Sequence, residues 1–468
     1  MLATCSAMMV APSLTSARRL AAVARHVFPV VGSPALAATS TALVRRLSFS
    51  PVHAGEVYDV VVIGGGVMGV WAAIMAAKRG ASTVLADQFE IAHERGSSHG
   101  DGRIYRLAYD EDHYYDMMMH SLPLWRELHA SAKEKIMATT GQLNLAPEGH
   151  GRLESLEKLY RRRGVPHERL SAKALSTRFP QYDMASGMGA MYQPDGGVLF
   201  ASNSIRAAWE LAASLGVRTV TGFRANVVTE EAQRVVVASE EGVRLYGKGV
   251  VVAPGAWLSK MAAALFGLKI TTRVSAEEVC YYAPKANCGL DHSYHAMPNF
   301  SASVDNGLGP QGYYGLPMID VPGIKVSAHY CGPTIDPDAR PASAGGIPGF
   351  APSDEEASAR ARVDAVIASS NRFVRETFPH VEHVPFKTSS CLYTATPDHG
   401  YVIDRVPGMS RVVLAGGGSG HGFKMGPAIG DCCAALALGA APPLSIGHFA
   451  VMREALQREY KDEAAKRH

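Results

Sequence analysis

Three glycines spaced as Gly64-x-Gly66-x-x-Gly69, with Asp87 beyond them, are the residues whose type and spacing most directly specify chemistry. In a strand–turn–helix setting Gly64 permits the tight turn and Gly66 lets a pyrophosphate approach the backbone. Gly69 lets helix and strand pack closely. The free N–H groups and dipole at the helix N-terminus then attract phosphate. Asp87 follows Gly69 by 18 residues, where a second strand would end, and a carboxylate there accepts hydrogen bonds from ribose hydroxyls. Its charge repels a 2′-phosphate and so disfavours NADP. The spacing does not separate NAD from FAD. In a chain with 46 glycines it carries meaning only if the surrounding elements form.

Those elements are legible. Val60-Val61-Val62-Ile63 is an apolar run suited to a parallel strand buried on both faces. Val70 to Lys78 has helical propensity, Gly80 suits the helix end, and Thr83 to Ala86 reads as a second strand, giving a parallel βαβ unit. Val198 to Gly216 reads as a long helix after the turn region Pro194 to Gly197. Gly249 to Val252 and Val412 to Ala415 are further apolar strands; the second leads through a glycine-rich turn into a helix at Pro427 to Leu438. Segments such as Gly312 to Tyr330 alternate as antiparallel strands do. The predicted fold class is α/β, and the chain crosses between an α/β domain and a β-rich domain more than once.

Composition narrows the function classes. A chain of 468 residues, 47% hydrophobic and 19% charged, has the length of two or three globular domains. Its net charge of +3 is unevenly spread: residues 1–55 hold five arginines and no acidic residue. Removing those five from 46 basic residues leaves 41 against 43 acidic ones, so the body offers no basic surplus for nucleic acid. An arginine- and serine-rich, acid-free N-terminus has the character of a mitochondrial presequence. Arg19-Leu20, five residues and His26-Val27 approach a peroxisomal address, with Val27 departing from it. No apolar run reaches the length of a membrane span. The seven cysteines lack a CxxC pair, and no His/Cys/Asp/Glu cluster has metal-ligand spacing.

Four further blocks carry a resemblance: Gly96-Ser97-Ser98-His99-Gly100-Asp101-Gly102-Arg103-Ile104-Tyr105-Arg106; Tyr313 to Pro317 with Lys325 and His329; Ser390-Cys391-Leu392-Tyr393-Thr394; and Gly420-His421-Gly422-Phe423-Lys424. With the fingerprint and in this order, they resemble the monomeric sarcosine oxidase and L-pipecolate oxidase family of flavoproteins. The resemblance runs from about Tyr58 to the last strand and helix. It implies FAD as cofactor, held by a discontinuous Rossmann-like domain of the glutathione-reductase type, with a substrate domain on an antiparallel sheet. The expected division is a targeting segment at 1–55; an FAD-binding domain at 56–140, 195–262 and 398–468; and a substrate domain at 141–194 and 263–397. The implied reaction oxidises a secondary amino acid by hydride transfer to the flavin, giving an imine, with O2 reduced to H2O2. A monomer acting on a small amino acid is expected.

Carried over residue by residue, the resemblance implies that Arg106 and Lys424 bind the substrate carboxylate, as cations in a dry pocket should. Cys391 matches the family's covalent attachment point for the flavin. Lys325, 11 residues after Tyr314, matches the lysine that stabilises charge on O2. Arg103 and His99 are expected along the isoalloxazine and His421 beside Lys424. Met68, Ser97, Gly255 and Gly420 complete the expected cofactor contacts. Taken alone, Arg106 and Lys424 read as a loop arginine and a helix-start lysine, Cys391 as a buried strand residue, and His329 equally well as structural. Two departures stand out. Gly418 occupies a position where the family commonly has an aromatic residue, which predicts a wider flavin pocket. Met297 to Gly312 does not match, so substrate access and specificity there are the chain's own. A dehydrogenase passing electrons to a carrier, or a non-catalytic FAD-binding assembly protein, would share the fold.

Overall fold

The computed structural model describes residues 55–309, 311–340 and 354–461. The segment read as a presequence, with its peroxisome-like motif, lies outside the described residues except for Gly55. In chain order the first elements are β1 (Val57–Ile63), α1 (Val67–Lys78), β2 (Thr83–Ala86), β3 (Gly102–Tyr105), α2 (Asp112–Ser131), β4 (Met137–Thr139), β5 (Gln142–Pro147), α3 (Gly151–Arg163), β6 (Glu168–Ser171), α4 (Ala172–Arg178), β7 (Met188–Gln193) and β8 (Gly197–Phe200). They continue as α5 (Ala201–Ser214), β9 (Arg218–Val220), β10 (Ala225–Glu230), β11 (Val235–Ser239), β12 (Arg244–Val252), α6 (Leu258–Phe266), β13 (Arg273–Tyr282), β14 (Asn299–Ala302), β15 (Tyr313–Leu316), β16 (Ile324–Ala328), α7 (Asp354–Thr377), β17 (Lys387–Ala395), β18 (Val402–Arg405), β19 (Val412–Gly416) and α8 (Gly426–Ala437).

Two eight-stranded sheets dominate. In the first, β1 lies between β2 and β12, all parallel, and β19 joins the C-terminal half of β12 in parallel while β11 pairs antiparallel with its N-terminal half. Alternate residues of β1 enter different cores, which is why the run is apolar without a break. Val60 and Val62 pack with α1, α5 and α8, whereas Val61 and Ile63 pack under α6 and the β10–β11 hairpin. The second sheet runs β17-β13-β16-β15-β14-β5-β7-β6 and is antiparallel apart from the β14–β5 pair. One face buries Tyr282, Phe300, Val326 and Phe373. The other is polar and bounds the larger cavity.

One expected element is corrected. Val198 to Phe200 forms strand β8 rather than the first turn of a helix, because it is sandwiched between β3 and β4 in a three-stranded sheet; the helix begins at Ala201. Helix α6 also runs across the boundary expected at 262/263.

The fingerprint turn leaves no spare room. Gly64 has φ +97°, and a Cβ on Gly69 would overlap the Gly64 carbonyl oxygen. Gly65, to which the spacing assigns nothing, is equally constrained: the indole of Trp209 lies where its Cβ would be and donates through Nε1 to its carbonyl, 2.9 Å away. Replacing Gly69 with Ala should force α1 away from β1. The expected cost is at least about 1–3 kcal/mol of stability, as for overpacking elsewhere, together with loss of bound FAD. Thermal melting and the flavin absorbance of purified protein measure both; an unchanged melting point with full flavin content would contradict this packing.

Candidate active site

The polar face of the second sheet reads across its strands as one row. Cys391 on β17 stands opposite Glu277 on β13, while Tyr281 further along β13 stands opposite Lys325 on β16. Tyr314 on β15 lies opposite Ser327 of β16 on one side and Ser301 of β14 on the other, and Ser301 lies opposite Asn144 on β5. Because side chains alternate along a strand, these residues share a face. Above them, β3 and the loop after it contribute Arg103, Arg106 and Tyr109. The turn before α8 contributes Gly420, His421 and Lys424. With Cys391, Lys325, Tyr314, Ser301 and Asn144 of the sheet, these groups enclose a cavity of about 550 Å³.

The cavity is cationic. Arg106 donates from Nη1 to Ser301 Oγ at 2.9 Å. Lys424 donates to Tyr109 Oη and to the His421 carbonyl, both at 3.1 Å. The Tyr109 ring lies beneath both cations, 5.4 Å from the Arg106 guanidinium and 5.7 Å from the Lys424 ammonium. Arg103 donates to the carbonyls of Gly102 and Ser97, and Lys325 to that of Gly102 at 3.3 Å. No carboxylate pairs with any of these four cations among the described residues. Burial, followed by repulsion from Arg103, lowers the Lys325 pKa to about 8. Burial, followed by repulsion from Arg106 and Arg103, holds Lys424 well below its ordinary value.

His421 borders the same cavity, but both ring nitrogens are engaged. Nε2 faces the His399 carbonyl at 3.1 Å, so it carries the hydrogen, and Nδ1 accepts from Tyr401 Oη at 2.6 Å. Burial, then the charge of Lys424, keeps the ring neutral. It orients the turn that carries Lys424. Tyr314, Tyr393 and His329 pack edge-to-face around Cys391 at the other end of the cavity.

A second cavity of about 270 Å³ meets the fingerprint and is lined by Gly64, Gly66, Asp87, Ser97, Gly255 and Trp257 among others. Asp87 Oδ2 accepts from Gly65 N at 2.5 Å and Oδ1 from Phe89 N at 2.8 Å. Burial pushes its carboxyl pKa up while these N–H groups and His93 oppose the shift. Asp87 thus also fixes the glycine turn, a task its position in the sequence did not announce. A cradle closed by glycine backbone at one end and a cationic cavity holding a free thiol at the other fit the two halves of a flavin dinucleotide.

Not every expected contact borders a cavity. His99 is buried with Nε2 on the Gly96 carbonyl at 3.0 Å and lines neither space; burial pushes its pKa down to about 2. Ser97 spends its hydroxyl on the Leu392 carbonyl at 2.6 Å, tying the Gly96–Arg106 segment to the strand that carries Cys391. Met68 also lines neither cavity. Its terminal methyl lies 3.5 Å from where a Cβ on Gly418 would be, an ordinary van der Waals contact. Tyr109, Ser301 and Tyr393 were missed. Tyr109 is three residues past Arg106 and could have been read with it, whereas Ser301 carries no signal in the sequence.

These features suit a flavin-dependent oxidoreductase. Residues 59–436 match the family model described as FAD dependent oxidoreductase, and the chain belongs to that family. It is 33% identical to a monomeric sarcosine oxidase of Bacillus sp. (strain NS-129), over 86% of this chain and 98% of that one. It is 31% identical to the peroxisomal sarcosine oxidase of Homo sapiens, over 85% and 96%. Among solved structures, the open form of NikD, an unusual amino acid oxidase, superposes with a TM-score of 0.68 at 23% identity, covering 86% of this chain and all of that one. The chain is a sarcosine-oxidase-like, FAD-dependent amine oxidoreductase.

The lowered pKa of Lys424 has a consequence for binding. An anion beside it favours the charged form, so carboxylate binding should take up a proton, and affinity should fall as pH rises above the free-state pKa. Calorimetry of a carboxylate inhibitor in two buffers of different ionisation enthalpy should show net proton uptake on binding, reduced in Lys424→Met. Binding without proton exchange would contradict the burial of an unpaired lysine.

Proposed function

We propose that this chain oxidises secondary amino acids such as sarcosine or L-pipecolate to the imine and passes the electrons to O2, giving H2O2. The observation that carries this reading is the separation of cations within one cavity. Arg106 and Lys424 flank Tyr109 at one end, and Lys325 stands apart on the sheet near Cys391. Bound FAD supplies the two-electron acceptor for the substrate and the donor for O2. Arg106 and Lys424 hold the substrate carboxylate as a bidentate and a point-charge partner. Tyr314, Tyr393 and Phe423 exclude water from the reacting carbon. Lys325, largely protonated at neutral pH, offers its charge to oxygen as it is reduced. Arg103, buried beside Cys391 and Tyr314, supports the isoalloxazine, to which Cys391 is the attachment point.

The proposed cofactor-binding and substrate-binding parts keep the division set out from the sequence, with the 262/263 boundary moved to the end of α6 at Phe266, in a monomer. For the N-terminal segment we favour a mitochondrial address; the peroxisomal alternative gains support from similarity to peroxisomal sarcosine oxidases. A mitochondrial dehydrogenase passing electrons to a carrier is the second reading, and the buried Lys325 opposes it.

With sarcosine, pipecolate or proline in air, H2O2 should form one-for-one with substrate consumed. Lys325→Met should slow reoxidation of the reduced enzyme by about 10²–10³-fold while leaving anaerobic bleaching within a few-fold. Acid precipitation should leave the yellow colour in the pellet, and Cys391→Ser should release it. Bleaching by substrate with no H2O2 in air would favour the dehydrogenase.

A further inference from the structure

His93 stands beside Asp87 on the wall of the second cavity, in the irregular segment that joins β2 to β3. Its Nδ1 accepts from Arg95 N at 3.2 Å. Burial, opposed chiefly by Asp87, moves the imidazole pKa below its ordinary value. At neutral pH the ring is therefore uncharged and keeps its one hydrogen on Nε2. Nε2 lies 3.9 Å from Asp87 Oδ1. That gap is too long for a direct hydrogen bond, and Nε2 has no other partner among the described residues. The nitrogen is not sealed off. The His93 side chain is 19% exposed, and Nε2 is not among the enclosed polar atoms that lack a partner.

Both side chains are held in place by the protein itself. The Asp87 carboxylate is fixed by Gly65 N on Oδ2 and Phe89 N on Oδ1, which leaves Oδ1 able to accept once more. The Phe89 ring lies 4.7 Å from the imidazole and 5.7 Å from the indole of Trp257, with the Arg95 guanidinium 4.8 Å above it. Trp257 is tied in turn to Asp338, donating from Nε1 at 2.7 Å. Donor and acceptor are thus positioned before a ligand arrives.

The gap suits an atom that both accepts and donates. An oxygen about 2.8 Å from each group closes it. A hydroxyl there accepts from His93 Nε2–H and donates to Asp87 Oδ1, whereas a phosphate oxygen has no hydrogen to give and meets the carboxylate charge. We propose that His93 and Asp87 together bind one hydroxyl of the cofactor's ribose, His93 as donor and Asp87 as acceptor. The fingerprint spacing assigns only the acceptor; His93 is a further cofactor-binding residue. The proposal rests on the dinucleotide occupying the second cavity and is independent of the substrate and of any bond to Cys391.

The test reads nucleotide affinity and not turnover. Full-length Cys391→Ser protein, freed of flavin, is titrated calorimetrically with ADP, 2′-deoxy-ADP and 3′-deoxy-ADP. ADP should bind at least about tenfold more tightly than one of the two deoxy forms. His93→Phe keeps a ring against Phe89 and removes the donor. It should weaken ADP by a similar factor, leave that deoxy form within about threefold, and so abolish the preference. His93→Gln, whose amide can donate, should recover part of it. Fluorescence titration with FAD should rank the three proteins in the same order. A preference for ADP that survives His93→Phe would mean that Asp87 reads the hydroxyl alone, and would overturn the proposal. Equal weakening of all three nucleotides, the mark of a merely structural role, would overturn it too. If neither ADP nor FAD binds the protein that retains His93, the assignment of the cavity to the dinucleotide fails and the proposal with it.

Discussion

Four cations, Arg103, Arg106, Lys325 and Lys424, border one cavity without a carboxylate to pair with any of them among the described residues. An unpaired buried charge costs several kcal/mol, and a protein usually avoids that by pairing the group or letting it lose its proton. Here the lowered pKa values of Lys325 and Lys424 record part of the cost. The remainder is met by Tyr109, whose ring and hydroxyl face two of the cations, and by backbone carbonyls. Such a site is poised for an anion that arrives from outside, and in the function proposed above that anion is the amino-acid carboxylate.

The fold makes this arrangement possible by bringing three distant segments to one place. The β3 segment carries two arginines, the turn before α8 carries Lys424, and the polar face of the second sheet carries Cys391, Lys325 and Tyr314 in cross-strand order. Rigid supports sit behind each group. Trp125 donates to the Lys424 carbonyl at 2.8 Å, Tyr401 and the His399 carbonyl lock His421, and Ser97 ties the arginine segment to the Cys391 strand. Glu277, opposite Cys391, accepts from Ser275 Oγ and from the N–H groups of Cys331 and Gly332, fixing the backbone next to Tyr330. The chemistry-bearing groups therefore stand on strands and helix ends rather than on free loops.

Much of this was legible in the sequence because the constraint was local. The Gly64, Gly66 and Gly69 spacing and the apolar runs of β1, β12 and β19 depend on neighbours a few residues away. What was not legible depends on tertiary partners. Val198 to Phe200 has the composition of a helix start, yet two flanking strands pull it into a sheet. Gly65 matters only because Trp209 arrives from 144 residues away. The burial of His99 against the Gly96 carbonyl likewise depends on packing that the sequence does not display. Ser301 and Asn144 enter the cavity through sheet register, which no motif encodes.

The central claim is that the buried cations await a carboxylate, and a crystal structure of the flavin-loaded enzyme with methoxyacetate tests it most directly. The account predicts the carboxylate between the Arg106 guanidinium and Lys424 Nζ, above Tyr109, with Lys325 left free of it. A carboxylate bound instead at Lys325 or Arg152, with Arg106 and Lys424 untouched, would contradict it.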